Sequence, residues 1–150
     1  MTRSNGSKKH AILAIRDTIG EPIEIPEWAA VDGLTIRHIS GAERDRLEIH
    51  ASKIGDGDTE AARGFRALSA SLFLGDEQGD RIFGDEDIED LDSKSGAALE
   101  RIREAGYRVN GYDAAQVDEL EGNSPAAPSG DSGFASPSPS VVRSDSCKAN

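Results

Sequence analysis

The sequence predicts an α+β fold, in which an N-terminal β-hairpin packs on a small bundle of three to four helices between disordered ends. Before position 40, two short segments alternate apolar and polar residues, which is the pattern of strands with one buried face. Further along, apolar residues recur every three or four positions, which indicates amphipathic helices. Residues 122–150 show neither pattern. One ordered domain is therefore predicted over residues 10–121.

The N-terminal part is predicted to contain a leader, a short apolar element and the hairpin. Residues 1–9 read as a disordered leader, and His10–Ile15 is expected to dock as a strand or a helical turn. The hairpin spans residues 21–39, and Asp32-Gly33 between its strands is a typical turn sequence. Its alternating inward positions are Ile23, Ile25, Leu34, Ile36 and His38. Pro22 cannot donate a ladder hydrogen bond, so the first strand is expected at a sheet edge.

Five helices are predicted after the hairpin. They cover residues 41–54, 60–74, 85–92, 95–110 and 113–121. Ser40 and Glu43 form a capping box that begins the first of them, and Asn110-Gly111 is a typical stop for the fourth. The inward residues of the three longest helices are Leu47, His50, Ala51 and Ile54, then Ala61, Phe65, Leu68 and Leu72, then Ala98, Leu99, Ile102, Ala105 and Val109. His38 and His50 are both interpreted as hydrogen-bonded core histidines.

The charge distribution argues against nucleic acid and membranes as partners. The chain carries a net charge of -11, and residues 11–121 alone carry -14 because the first ten residues are basic and the tail is neutral. Phosphate backbones and anionic lipids repel such a domain. A protein partner is expected instead, with self-association as a further way to complete a small core. Residues 122–150 are rich in Ser, Pro and Gly and are predicted to be disordered.

No motif in the sequence predicts an enzyme, a cofactor or a metal site. Cys147 is the single cysteine and lies in the tail, and the three histidines lack metal-ligand spacing. The sequence contains no nucleophile elbow, no phosphate-binding loop and no dinucleotide fingerprint. No apolar stretch approaches the roughly 18 residues that span a bilayer. A cytoplasmic binding protein is therefore expected.

One acidic segment invites comparison with a calcium loop. Asp76–Asp87 places acids or amides at the first, third and fifth positions of an EF-hand. Arg81 stands where glycine is needed, and Asp87 stands where the longer glutamate would bind with both oxygens. A solvated acidic turn is the favoured interpretation, with a calcium-binding regulatory protein as an alternative.

Apolar residues placed among acids are the candidates for partner binding. They are Trp28, Leu72, Phe73, Leu74 and Phe83. Residues 76–92 beside them hold nine acids against Arg81. Trp is enriched at binding hot spots, although Trp28 can also serve as a lid over the core. Phe73, Leu74 and Phe83 can likewise form a small core cluster under the turn.

Taken in order along the chain, several short motifs form one pattern over Ile23–Ser124. They are Pro26-Glu27-Trp28, Ile36-Arg37, Ser40-Gly41-Ala42-Glu43-Arg44-Asp45, Asp76-Glu77-Gln78-Gly79, Phe83, Asp85, Asp87-Ile88, Leu91 and Lys94-Ser95. This order resembles the tail assembly chaperones of lambda-like long-tailed phages and prophages. The individual motifs are short, and their order carries the resemblance.

The resemblance implies a non-catalytic escort protein in the host cytoplasm that is absent from the finished virion. The short form in that family binds the tape measure protein, and a longer form made by ribosomal frameshifting recruits the major tail tube protein. This chain then resembles the short form, with residues 122–150 as the tether for the added domain. An acidic nucleic-acid mimic or anti-repressor is a second alternative, because the same charge could block a basic protein.

Overall fold

Helices dominate the part of the chain that the structure, a computed structural model, describes, which is residues 5–121. Within that range there are seven α-helices: α1 Asn5–Leu13, α2 Gly41–Gly55, α3 Thr59–Ala62, α4 Phe65–Phe73, α5 Ile88–Asp92, α6 Gly96–Val109 and α7 Ala114–Leu120. The strands of its small antiparallel sheet are β1 Glu21–Pro22, β2 Thr35–Ile36 and β3 Leu74–Gly75. The α+β class is confirmed in this coarse sense.

The sheet contains the predicted hairpin and one strand more. β1 pairs with β2, so that Glu21 faces Ile36, and β1 lies at the edge as its proline requires. β3 pairs with the other side of β2, which the sequence analysis missed. As a central strand β2 is covered on both faces, so its strict alternation fails and Arg37 after it is buried.

The interpretation of His38 as a core residue is wrong. His38 follows β2 and is exposed, and its backbone N–H donates to the carbonyl of Thr18. The chain has already left the buried centre of the sheet at this position. The interpretation of His50 is correct in outline: it is half-buried, lies with Nε2 2.6 Å from the carbonyl oxygen of Ala61, and stacks on Phe65.

Helices α2, α6 and α7 each begin at a residue whose side chain caps them, and α2 begins at the predicted capping box. The Ser40 hydroxyl accepts from the N–H of Glu43, and the Glu43 carboxylate accepts from the N–H of Ser40. Ser95 caps α6, and Asp113 forms a second capping box on α7. α6 ends at Asn110-Gly111 as predicted, with Gly111 in the left-handed region that glycine favours.

The predicted continuous helix over 60–74 is wrong. The structure divides it into α3 and α4 at Gly64, whose φ of 68° is incompatible with a right-handed helix. Leu74 then belongs to β3 rather than to the helix. Nearly every side chain of α4 is buried, so this helix lies at the centre of the domain.

Two serines inside α4 satisfy their hydroxyl groups within the helix. Ser69 donates to the carbonyl of Phe65 at 2.7 Å, and Ser71 donates to that of Leu68 at 2.8 Å. Bonding back to the preceding turn satisfies the donor of each buried hydroxyl, and the Ser71 oxygen also accepts from Arg81 at 3.2 Å. All residues of α4 except the exposed Arg66 can therefore be buried, despite the two serines.

α4 packs most closely on α6, and Gly106 permits the contact. A Cβ atom at Gly106 would overlap the ring of Phe73. Phe73 also meets Tyr107 edge to face at 5.7 Å between ring centroids, and Tyr107 meets Tyr112 in the same manner at 5.4 Å. Burial raises the pKa of Tyr107 to about 12. The predicted α6 stripe is therefore displaced toward Gly106 and Tyr107, while Ala105 and Val109 are only partly buried.

The predicted leader is helical where the structure describes it. α1 begins at Asn5, so residues 5–9 form a helix rather than a disordered segment, and no residue of α1 is buried. Residues 1–4 lie outside the described residues. The predicted disorder of residues 122–150 also falls outside them.

A buried arginine joins the sheet to the helices. The Arg37 guanidinium, 6% exposed as a residue, donates to the carbonyls of Leu72 and Gly79 at 2.9 and 3.0 Å. It also donates to the Glu43 carboxylate at 2.8 Å. Burial raises the pKa of Glu43, but the hydrogen bonds from Arg37 and Ser40 and the charge of Arg37 outweigh burial and lower that pKa below its usual value.

Gly106→Ala is expected to lower the free energy of unfolding by about 1–3 kcal/mol, because the added methyl group overpacks against Phe73. This loss should exceed the gain of about 1 kcal/mol that alanine brings to a helix interior. Urea unfolding followed by circular dichroism measures the difference. Gly96→Ala is the matched control, since no atom lies within 4 Å of its added Cβ. Equal stability of the two variants would contradict the packing described.

Glu43→Gln is expected to cost about 1–3 kcal/mol of unfolding free energy near neutral pH, because a charge-assisted hydrogen bond is lost. Since folding lowers the pKa of Glu43 from 4.5, its contribution is present above that pH and disappears as the pH falls through the folded value. Urea midpoints of the parent and the variant should therefore converge in acid.

The control for that series is Glu48→Gln. Glu48 pairs with Arg44 at 3.0 Å on the surface of α2, with half of its side chain exposed. Its loss should cost less than about 1 kcal/mol. A parent-to-variant gap for Glu43→Gln that stays constant between neutral pH and acid would show that its ionisation contributes nothing.

Candidate partner-binding groove

Trp28 lies on a short turn that is fixed at both ends. A 3-10 turn over Pro26–Trp28 begins at a proline, whose restricted φ suits the first turn of a helix. The Trp28 backbone N–H donates to the carbonyl of Ile25 at 2.8 Å, and Ile25 is buried in the core. Glu27 pairs with Arg101 of α6 at 3.5 Å. The backbone that carries Trp28 is therefore tied to the domain, and its side chain is partly buried against the core.

Phe83 lies just beyond the acidic turn and is positioned by Arg81. The Arg81 guanidinium donates to the carbonyl of Ser71 at 3.0 Å and pairs with Asp85 at 3.3 Å. Arg46 of α2 also donates to Asp85, at 2.7 Å. The hydrogen bond from Arg46 lowers the pKa of Asp85, and Arg81 adds to this shift. The segment that carries Phe83 is thus tied to both α4 and α2.

Trp28 and Phe83 line one open apolar groove. We call it the Trp28–Phe83 groove, and its volume is about 310 Å³. Its lining residues are Trp28, Val31, Leu34, Leu74, Ile82, Phe83, Leu91 and Lys94. Leu34, Leu74 and Leu91 are buried and form its floor, whereas Val31 and Ile82 are exposed and form its rim. Only Lys94 among these residues is charged, so the groove offers apolar contact rather than chemistry.

The five candidate residues separate into two groups. Trp28, Phe83 and Leu74 line the groove together, which brings distant parts of the sequence to one surface. Leu72 and Phe73 are fully buried in the core between α4 and its neighbours. Neither residue is therefore on an exposed apolar patch: Leu72 faces inward, as its position on the predicted helix stripe implied, and Phe73 belongs to the alternative core cluster. Leu74 contributes only the floor.

Val31 and Ile82 line the groove, although they were not among the predicted partner-binding residues. They are 55% and 41% exposed, which is high for large apolar side chains. One signal was available: both lie in polar, turn-rich segments, Val31 beside Asp32-Gly33 and Ile82 beside Phe83. An isolated apolar residue there has no predicted core to enter.

A second hollow of about 570 Å³ adjoins the groove across the same loop. It shares Trp28, Val31 and Leu34 with the groove, and Glu24, Asp32 and Glu77 also line it. The apolar surface therefore continues past Trp28 into a region with acidic walls. A partner longer than one side chain could follow both.

The acidic turn beside the groove does not have the geometry of a calcium loop. The Asp76 carboxylate accepts from the N–H groups of Gln78 and Asp80 at 2.9 and 3.0 Å, which closes a tight turn. Asp85 pairs with two arginines, and Asp87 caps the N–H of Gly84 at 2.8 Å. Within residues 5–121, no three His, Cys, Asp or Glu side chains are grouped to hold a metal ion. The arrangement gives the calcium alternative no support.

Each helix between residues 5 and 121 is too short or too polar to cross a bilayer. Comparisons with protein-family models, with curated proteins and with solved structures found no match for this chain. The groove is therefore interpreted from its own geometry.

Substitutions at the rim and the floor of the groove should differ in their effect on stability. Val31→Ser combined with Ile82→Ser is expected to change the free energy of unfolding by less than about 1 kcal/mol, because both side chains are exposed. Leu74→Ala should cost about 2–5 kcal/mol, because it leaves a cavity in the core. Urea unfolding measures both. A rim variant as unstable as the floor variant would show that the groove is closed in solution.

Proposed function

We propose that this chain is a phage tail assembly chaperone, a non-catalytic protein whose Trp28–Phe83 groove receives an apolar helix face of the tape measure protein. The observation that carries the proposal is that Trp28 and Phe83 line one open apolar groove within an acidic surface. The order of motifs that resembles the chaperone family adds support.

The groove suits an amphipathic helix better than a small molecule. Helix-in-groove recognition uses a few apolar anchors at helical spacing, and a rim of exposed apolar side chains widens the contact. Trp28 supplies a large, rigid contact area with a polar N–H, as binding hot spots often do. Because Arg81 and the 3-10 turn hold the walls in place, little conformational entropy is lost when a client binds.

The acidic surface gives a second property that an escort needs. Residues 76–92 carry a net charge of -8 beside the groove. Like charge keeps loaded complexes apart, so that an aggregation-prone helical client stays in solution. Such a surface also limits association between grooves of empty chaperones.

The remaining parts of the proposal follow from the family resemblance. A longer form made by frameshifting would recruit the major tail tube protein, with residues 122–150 as a tether that raises its local concentration. Both forms would act in the host cytoplasm and leave before the virion is complete.

Co-expression with the tape measure protein encoded beside this gene tests the proposal. The parent chain should increase the soluble fraction of the tape measure protein, measured by centrifugation and affinity capture. Val31→Ser with Ile82→Ser should lose most of that increase, because the client loses apolar contact at the rim. Ile49→Ser is the matched control, since Ile49 is 60% exposed on α2 and does not line the groove.

Two results would count against the proposal. One is a client whose solubility does not change when the parent chain is present. The other is a captured complex that dissociates steeply as salt increases and tolerates the rim variant. That second pattern favours an acidic nucleic-acid mimic, whose partner would be held by charge rather than by apolar contact. The net charge of -11 is the observation that supports this second candidate.

A further inference from the structure

α1 has no buried face in the part of the chain that the structure describes. Ile12 and Leu13 at its C-terminal end, and Ile15 two residues beyond it, are each more than half exposed. A nine-residue helix gains little stability by itself and normally depends on a packed apolar face. Three large apolar side chains in a row of exposed positions therefore indicate that α1 has an external binding surface.

The charge of this segment is opposite to that of residues 17–121. Lys8, Lys9 and Arg16 surround its apolar residues, and Asp17 is the first acid in the sequence. Residues 17–121, in contrast, contain many more acidic than basic side chains. α1 is thus a basic, apolar helix attached to an acidic domain.

The groove region has the complementary charge. The rim and floor of the Trp28–Phe83 groove are apolar, and exposed acids follow or flank its lining segments. Four of them, Asp32, Glu77, Asp90 and Asp92, are in no ion pair within residues 5–121. They outnumber the single lining cation, Lys94. A helix with apolar residues between lysines matches this surface in both respects.

The chain that follows α1 is attached to the sheet. Arg16 pairs with Asp80, and the carbonyl of Thr18 accepts from the N–H of His38 at 3.1 Å. A Cβ atom on Gly79 would overlap the backbone of Thr18 and Ile19. The segment between α1 and β1 therefore lies directly against the acidic turn. α1 therefore projects from a fixed point beside this turn while its own apolar end contacts no core residue.

We propose that α1 of one copy occupies the Trp28–Phe83 groove of a second copy, and that reciprocal exchange of the two helices forms a symmetric dimer. Ile12, Leu13 and Ile15 contact the rim and floor, and Lys8 and Lys9 face the acids around the groove, while Arg16 keeps its own pair with Asp80. In this dimer each copy gives its α1 and receives the α1 of the other copy. Both grooves are then filled, so the assembly is closed and does not extend into a filament. The dimer does not depend on the identity of any client, although a client in the same groove would compete with it.

Sedimentation velocity of the full chain over a range of concentrations tests this dimer in the absence of any client. The parent should pass from monomer to dimer as its concentration increases. Ile12→Ser with Leu13→Ser, and separately Val31→Ser with Ile82→Ser, should each weaken dimerisation by about tenfold or more. Ile49→Ser should dimerise as the parent does, because Ile49 lies in neither surface.

Mixing the two double variants provides a sharper test. Each is mainly monomeric alone, but the α1 variant retains an intact groove and the groove variant retains an intact α1. Together they should form a heterodimer through the one remaining contact, at higher concentration than the parent needs. Trp28 is the only tryptophan, so its emission should shift with dimerisation.

Three outcomes would overturn the inference. The parent could remain monomeric at every concentration, or the α1 variant could dimerise as the parent does. The α1 substitutions could also change Trp28 emission without changing the mass, which would place α1 in the groove of its own chain. Because the tape measure protein is absent from these measurements, none of these outcomes decides whether the chain is a chaperone.

Discussion

The buried ion pair between Arg37 and Glu43 is the constraint on which the arrangement of this domain depends. An arginine taken out of water is tolerated only when its donors find partners, and removing one member of such a pair leaves an uncompensated charge. Here the guanidinium reaches the end of α4 through Leu72, the acidic turn through Gly79 and the start of α2 through Glu43. Glu43 at the same time closes the capping box of α2. This one ion pair therefore links the start of α2, the end of α4 and the acidic turn that follows β3.

The shape of the groove depends on these contacts. The Arg37 backbone N–H donates to Phe73 at 2.9 Å, and the residue after Phe73 enters β3 as the groove floor. Asn110 accepts from the N–H of Ile39 and donates to the carbonyl of Arg37 at 3.1 Å, so the end of α6 is joined to the same strand. Walls held by hydrogen bonds on several elements move little relative to each other. A binding surface on such a frame is prepared before a partner arrives, which is the condition for tight recognition from a modest apolar area.

The sequence predicted those features that depend on local chemistry. The capping box at Ser40 and the stop at Asn110-Gly111 involve residues that are adjacent in the chain, and both were identified correctly. β3 was missed because a two-residue strand carries no periodic pattern, and only its pairing with β2 defines it. For Phe73 the sequence left a surface patch and a core cluster both open, because the residue lies off the centre of the helix stripe. Phe73 is buried because Gly106 leaves room for its ring, and Gly106 lies on α6, more than thirty residues further along the chain.

The candidate site was predicted in part for the same reason. Trp28 and Phe83 were selected as large apolar residues among acids, and that composition is visible without a structure. Their common groove and its rim at Val31 and Ile82 depend on tertiary contacts through Leu34 and Leu91. An apolar side chain in a small domain can stabilise the core or bind a partner, and burial decides between the two. Phe73 packs against α6, whereas Val31 and Ile82 stay exposed among acidic residues within residues 5–121, and charge around exposed apolar side chains opposes aggregation.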